Sequence, residues 1–95
     1  MDEKKAYEQK IEAEIDKWKA ELDKLKARRD SASADIKIRM EKQLKELSDM
    51  QKEAEDKLGQ LRNSGEKAWE DVKSGAREAA EAYEKSVKAA VARFL

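Results

Sequence analysis

The chain has 95 residues, enough for one domain, with 22 basic and 22 acidic side chains and no proline, cysteine or histidine. Without histidine and cysteine, the usual general base, the Ser-His-Asp arrangement, disulfides and the common zinc, haem and iron–sulfur ligand sets are all missing. Charge is also balanced locally, with nine residues of each sign in 1–30, seven in 31–62 and six in 63–95. No segment offers the sustained positive field that a nucleic-acid backbone needs.

The absence of proline and the scarcity of glycine leave nearly the whole chain free to be helical, and a composition rich in Ala, Glu, Lys and Leu points to long helices. Much of the apolar content is alanine. The large apolar residues form a narrow stripe that cannot offset the chain's conformational entropy unless it is shared, with itself or with another chain. Behind Met1-Asp2-Glu3-Lys4-Lys5 there is no apolar run, so no secretory signal is expected. No stretch approaches the ~20 apolar residues of a membrane span, so a cytoplasmic protein is expected.

From the amino terminus the stripe runs Ile11, Ile15, Trp18, Leu22, Leu25, then Arg29, Ala32 and Ile36. Its alternating steps of four and three residues are the spacing of a heptad seam. After Ile36 come Met40, Leu44 and Leu47, then Gln51, Ala54, Leu58 and Leu61. The single 4-4-3 step at 36–47 reads as one eleven-residue unit between heptads. Arg29 is the one charged residue on this seam, where it either specifies register or marks a bend.

In the last third, three sets of positions repeat at eleven residues: Leu61, Val72, Tyr83 and Phe94; Gly65, Ala76 and Val87; Trp69, Ala80 and Val91. That is a hendecad pattern, which runs nearly straight. The chain therefore reads as one helical domain, 1–95, with a heptad-rich part at 1–61 and a hendecad helix at 62–95.

Two segments could interrupt the helix. Asp30–Asp35 is rich in capping residues, and in Asn63-Ser64-Gly65-Glu66 the asparagine could cap a new helix, with Glu66 three residues on. Breaks there would give a compact three-helix bundle with turns near 30–35 and 63–65. The stepping carries through both segments, however, and a loop has no reason to keep helical phase. The expected fold is therefore all-α, with long amphipathic helices in a coiled coil, about 140 Å long if wholly helical. The compact bundle is the alternative. On the outer faces Asp35–Arg39, Glu41–Lys45, Glu53–Lys57, Glu81–Lys85 and Glu84–Lys88 are spaced for helix-stabilising ion pairs.

The carboxylate pairs Asp49 with Glu53 and Glu66 with Glu70 lack the sheltered cleft or ligand loop that catalysis or calcium binding requires, and read as solvated faces. The basic run Lys24 to Arg29 is short and flanked by Glu21, Asp23 and Asp30, so it reads as a solvated patch. No enzyme activity, cofactor, metal or small-molecule substrate is expected. The helix-association seam comprises Ile11, Ile15, Trp18, Leu22, Leu25, Ile36, Met40, Leu44, Leu47, Leu58, Leu61, Trp69, Val72, Tyr83, Val87 and Phe94. A homo-oligomer is the first expectation for its partner, and another helical protein the second. An alternative use of the tail is reversible lipid binding through Trp69, Val72, Val87, Val91, Phe94 and Leu95, although the segment lacks the lysine excess that favours anionic lipid. A third reading is a hydrophilic protectant, disordered in dilute solution.

Two stretches carry a family likeness. Tyr7-Glu8-Gln9-Lys10-Ile11 running on to Ala27, together with Gly65-Glu66-Lys67-Ala68-Trp69-Glu70-Asp71-Val72-Lys73-Ser74-Gly75, resembles small bacterial coiled-coil proteins of the stress-response type. The resemblance implies a bacterial, stress-linked helical protein, and it brings no catalytic residue or defined ligand with it.

Overall fold

Three helices account for almost all of residues 3–95, which the computed structural model of the chain describes. Helix α1 spans Glu3–Asp30, α2 spans Ala34–Asn63 and α3 spans Trp69–Phe94. The chain is all-α. Lys4 near the start of α1 donates to the carbonyl of Arg62 at the end of α2 (2.9 Å), and Arg93 at the end of α3 donates to Gln43 in the first half of α2 (3.4 Å). The ring centroids of Tyr7 and Trp69 lie 6.3 Å apart. The helices thus run up, down and up, with α1 and α3 parallel.

Both candidate breaks are turns. The first is tight: Ser31 and Ala32 donate their backbone N–H groups to Arg28 and Arg29, and Ser33 begins α2 by accepting from the Lys37 N–H. Arg29, the penultimate residue of α1, pairs with Asp30 at 3.3 Å, so of its two readings the bend is where it lies. At the second turn Asn63 is the last residue of α2, not a cap for α3. Ser64 closes α2, with both its N–H (3.3 Å) and its hydroxyl (2.6 Å) on the Leu61 carbonyl. The molecule measures 51 × 19 × 16 Å, so the arrangement is the compact bundle and not the 140 Å rod.

The phase argument for an unbroken helix fails for a specific reason. The buried positions of α1 are Ile11, Ile15, Trp18, Leu22 and Leu25; those of α2 are Met40, Leu44, Leu47, Ala54, Leu58 and Leu61. Leu25 and Met40 are fifteen residues apart, one more than two heptads. Leu61 and Trp69 are eight apart, again one too many. Each turn shifts the heptad frame by one residue. Reading Ile36 and Gly65 as seam members hid both shifts, yet Ile36 is 38% exposed and Gly65 lies on the surface.

Helix α3 follows the same four–three stepping. Its buried residues are Trp69, Ala76, Ala80, Tyr83, Val87 and Ala90, with Lys73 and Phe94 at the intervening positions. Eleven is seven plus four, so a heptad helix also places pairs such as 69/80, 76/87 and 83/94 eleven residues apart. Val72 and Val91 are the members that distinguish the two periods, and both sit half-buried on the flanks of the core.

The core contains no buried charged or polar residue among the described residues apart from the phenol end of Tyr83. Alanines 54, 76, 80 and 90 are at most 3% exposed and let the helix backbones approach closely. Gly59 and Gly75 lie inside α2 and α3. A methyl group at Gly59 would meet nothing within 4 Å, and one at Gly75 only the Lys57 side chain, at 4.0 Å. Gly59→Ala and Gly75→Ala should therefore each raise the unfolding free energy by roughly 0.5–1 kcal/mol, through helix propensity alone. Denaturant titration of each variant checks this, with an unchanged m-value expected.

Candidate interaction surface

Helix burial determines which predicted site residues remain available to a partner. Of the seam residues, all but Ile36, Val72 and Phe94 are enclosed in the core of this one chain. Of the residues assigned to lipid, Trp69 and Val87 are buried, Val72, Val91 and Phe94 pack half-exposed against the core, and Leu95 alone is open. The face of 66–95 that would meet a bilayer is thus the face that α3 turns toward α1 and α2.

The two ends of the bundle differ. At the end formed by the starts of α1 and α3 and the end of α2, Lys4, Arg62 and Lys73 are matched, whereas Lys67 forms no ion pair among the described residues. Lys4 pairs with Glu8 (3.2 Å), and Arg62 reaches both Glu8 (3.8 Å) and Glu12. Lys73 pairs with Glu70 (3.2 Å), with its ammonium 4.9 Å from the Trp69 ring centre and 5.8 Å from that of Tyr7. These are exposed contacts, worth about 0–1 kcal/mol each. They join all three helices at that end.

At the opposite end an open cleft of about 560 Å³ is lined by Arg28, Ile36, Arg39, Lys42, Arg93 and Phe94. None of its four cations forms an ion pair among the described residues, and Arg93 makes only the hydrogen bond to Gln43. Among the described residues the large exposed apolar side chains are Ile36 at 38%, Ile38 at 68% and Leu95 at 57%. All three belong to this end, two in the first turns of α2 and one after the last residue of α3. Spacing in the sequence places Ile36, Phe94 and Leu95 on the seam or on a lipid-facing strip and gives no sign of Ile38, which lies off every stripe. The four cations come from three helices, so no run in the sequence announces the cluster.

Along the sides the polar groups serve the bundle. Lys17 and Lys88 hold their ammonium groups 5.0 and 5.3 Å from the Trp18 ring centre, and Lys19 pairs with Glu55 at 3.6 Å. Of the five ion pairs expected from spacing, Glu84–Lys88 closes at 3.6 Å; Glu81 instead meets Arg77 at 3.9 Å. Midway along the core the Tyr83 hydroxyl donates to Gln51 Oε1 at 3.2 Å. Burial pushes the phenol pKa up to about 12 from its ordinary value near 10, and the carboxylates of Glu55 and Asp23 add to the rise. No cluster of metal-binding side chains occurs among the described residues, and none of the helices is long and apolar enough to cross a membrane.

No protein-family model, curated protein or solved structure matches the chain.

Proposed function

We propose that this chain is a non-enzymatic interaction protein, a preformed three-helix unit that meets its partners through the end built by the α1–α2 turn and the carboxyl end of α3. The observation that carries this reading is the placement of apolar surface. The seam is closed within one chain, and among the described residues the large apolar side chains left open collect at that end beside four unpaired cations. The stripe by itself points to a homo-oligomer, because it needs a second set of helices. With all three sets supplied by one chain, the reading carried forward is a single-chain unit. The resemblance to stress-response proteins would place it in a bacterial stress setting.

Lipid binding along α3 and a disordered protectant are less well supported. The first would require Trp69 and Val87 to leave the core, and nothing in the packing favours that opening. The second would leave the interlocking of seventeen buried apolar residues across three helices without a purpose.

Site-resolved photo-crosslinking in cells tests the proposal. A photoreactive residue at Ile38 should give adducts, and one at Lys52 on the long side should give few. Adducts distributed evenly along the bundle, or confined to its sides, would contradict it.

A further inference from the structure

The partner of this end can be narrowed by its chemistry. We infer that the α1–α2 turn end docks, end-on, against a bilayer carrying anionic headgroups, an inference that rests on the interaction reading above. Residues 28–42 and 92–95 contain six basic and three acidic side chains in a chain whose net charge is zero. Asp30 is engaged by Arg29. Asp35 and Glu41 lie outside ion-pair distance of the cleft's four cations.

Arg28 and Arg93 have a local explanation, since they lie near the carboxyl ends of α1 and α3, where cations offset the helix dipole. Arg39 and Lys42 have none. They lie beyond the first turn of α2, where no helix end calls for them, and both are exposed. Exposed lysines such as Lys45 and Lys52 also lack ion pairs among the described residues, but Arg39 and Lys42 share a cleft with two further cations and with Ile36 and Phe94, the combination of charge and apolar surface that anionic interfaces attract.

The positions of the isoleucines favour a surface over a small anion. Ile36 borders the cleft, but Ile38 is two residues on and roughly 200° around the helix. A molecule seated in the cleft touches Ile36 and leaves Ile38 in water. Both side chains lean toward the amino end of α2, because the Cα–Cβ bonds of a helix tilt that way. A flat partner laid across the end of the bundle faces both, while Arg39 and Lys42, about 4.5 and 9 Å further along α2 than Ile36, reach toward it with their long side chains. The end measures no more than about 19 × 16 Å, so the footprint is small and charge supplies much of the attraction.

The experiment is co-sedimentation of the full chain with vesicles of phosphatidylcholine alone, or with roughly one-third phosphatidylserine, at low and high salt. Binding is expected only to the anionic vesicles and should fall with salt. Arg39→Gln with Lys42→Gln should weaken it by roughly thirtyfold, given the usual contribution of each basic residue at such a surface. Ile38→Ser should weaken it further. Lys52→Gln with Lys67→Gln, which removes the same charge from the side and the far end, should change it little. In vesicles with brominated acyl chains, Trp18 and Trp69 should remain unquenched, because both lie away from the docked end.

Equal binding to neutral vesicles, no binding to anionic ones, or equal loss in the two double variants would overturn the inference. So would quenching of Trp69, which would place the side of α3 in the bilayer. Crosslinks from Ile38 to a protein together with an absence of vesicle binding would remove the lipid and leave the interaction reading standing.

Discussion

Leu22→Ala is expected to lower the unfolding free energy by about 2–5 kcal/mol. Leu22 is 1% exposed and lies between Trp18 and Leu25 on the buried face of α1. Removing most of its side chain forfeits burial and leaves a void that the neighbouring helices fill only in part. Small domains have about 5–15 kcal/mol in total, so the loss should appear as a large fall in the denaturant midpoint. Because the cavity is closed by the same chain, the effect should not depend on protein concentration, as it would if Leu22 packed across an oligomer. Ile38→Ala is the matched control: at 68% exposure its effect should stay within about 0.5 kcal/mol. Similar losses in both variants would mean that Leu22 does not belong to a core.

The second large effect is set by pH. Tyr83 is fully buried, and its phenol stays protonated up to about 12, against about 10 in the unfolded chain. The unfolded state therefore releases its proton first as pH rises. Between about 10 and 12 the folded state binds more protons, so stability is intact below 10 and falls through that window. The interval corresponds to about 3 kcal/mol at most. Gln51, which accepts the hydroxyl, is only half-buried, so water screens part of the effect and a loss on the order of 1–2 kcal/mol is expected. The clean readout is the difference from Tyr83→Phe. That variant should lose roughly 0.5–1.5 kcal/mol at neutral pH with the hydrogen bond, and its stability should fall less steeply above pH 10. Parallel curves for the two proteins would show that Tyr83 ionises as freely folded as unfolded.

The sequence made helix content legible because several independent signals agree: no proline, helix-forming composition and a four–three stripe from Ile11 to Leu25. The two turns were visible as candidates but had little to set them apart. Neither has a proline, and no described residue adopts a positive φ, so Ser31-Ala32-Ser33 and Ser64–Ala68 turn the chain with ordinary backbone. The one-residue shift at each turn marks the bundle most clearly, and it was hidden by treating Ile36 and Gly65 as seam positions. In α3 the size of Val72 and Val91 drew attention from Ala76, Ala80 and Ala90, which are buried because small residues suit closely packed helices. The end surface could not be read at all, since Arg28, Arg39, Lys42 and Arg93 meet only after the chain has folded back twice.

Small-angle scattering with light-scattering mass, over a concentration series, tests most directly whether one chain closes its own seam. A constant mass of 10.9 kDa and a radius of gyration close to the 15.3 Å of the Cα trace, slightly enlarged by side chains and hydration, are expected. A multiple of that mass in a rod well over ~100 Å long would contradict the account, since the helices would then run on through both turns and close their seam against other chains.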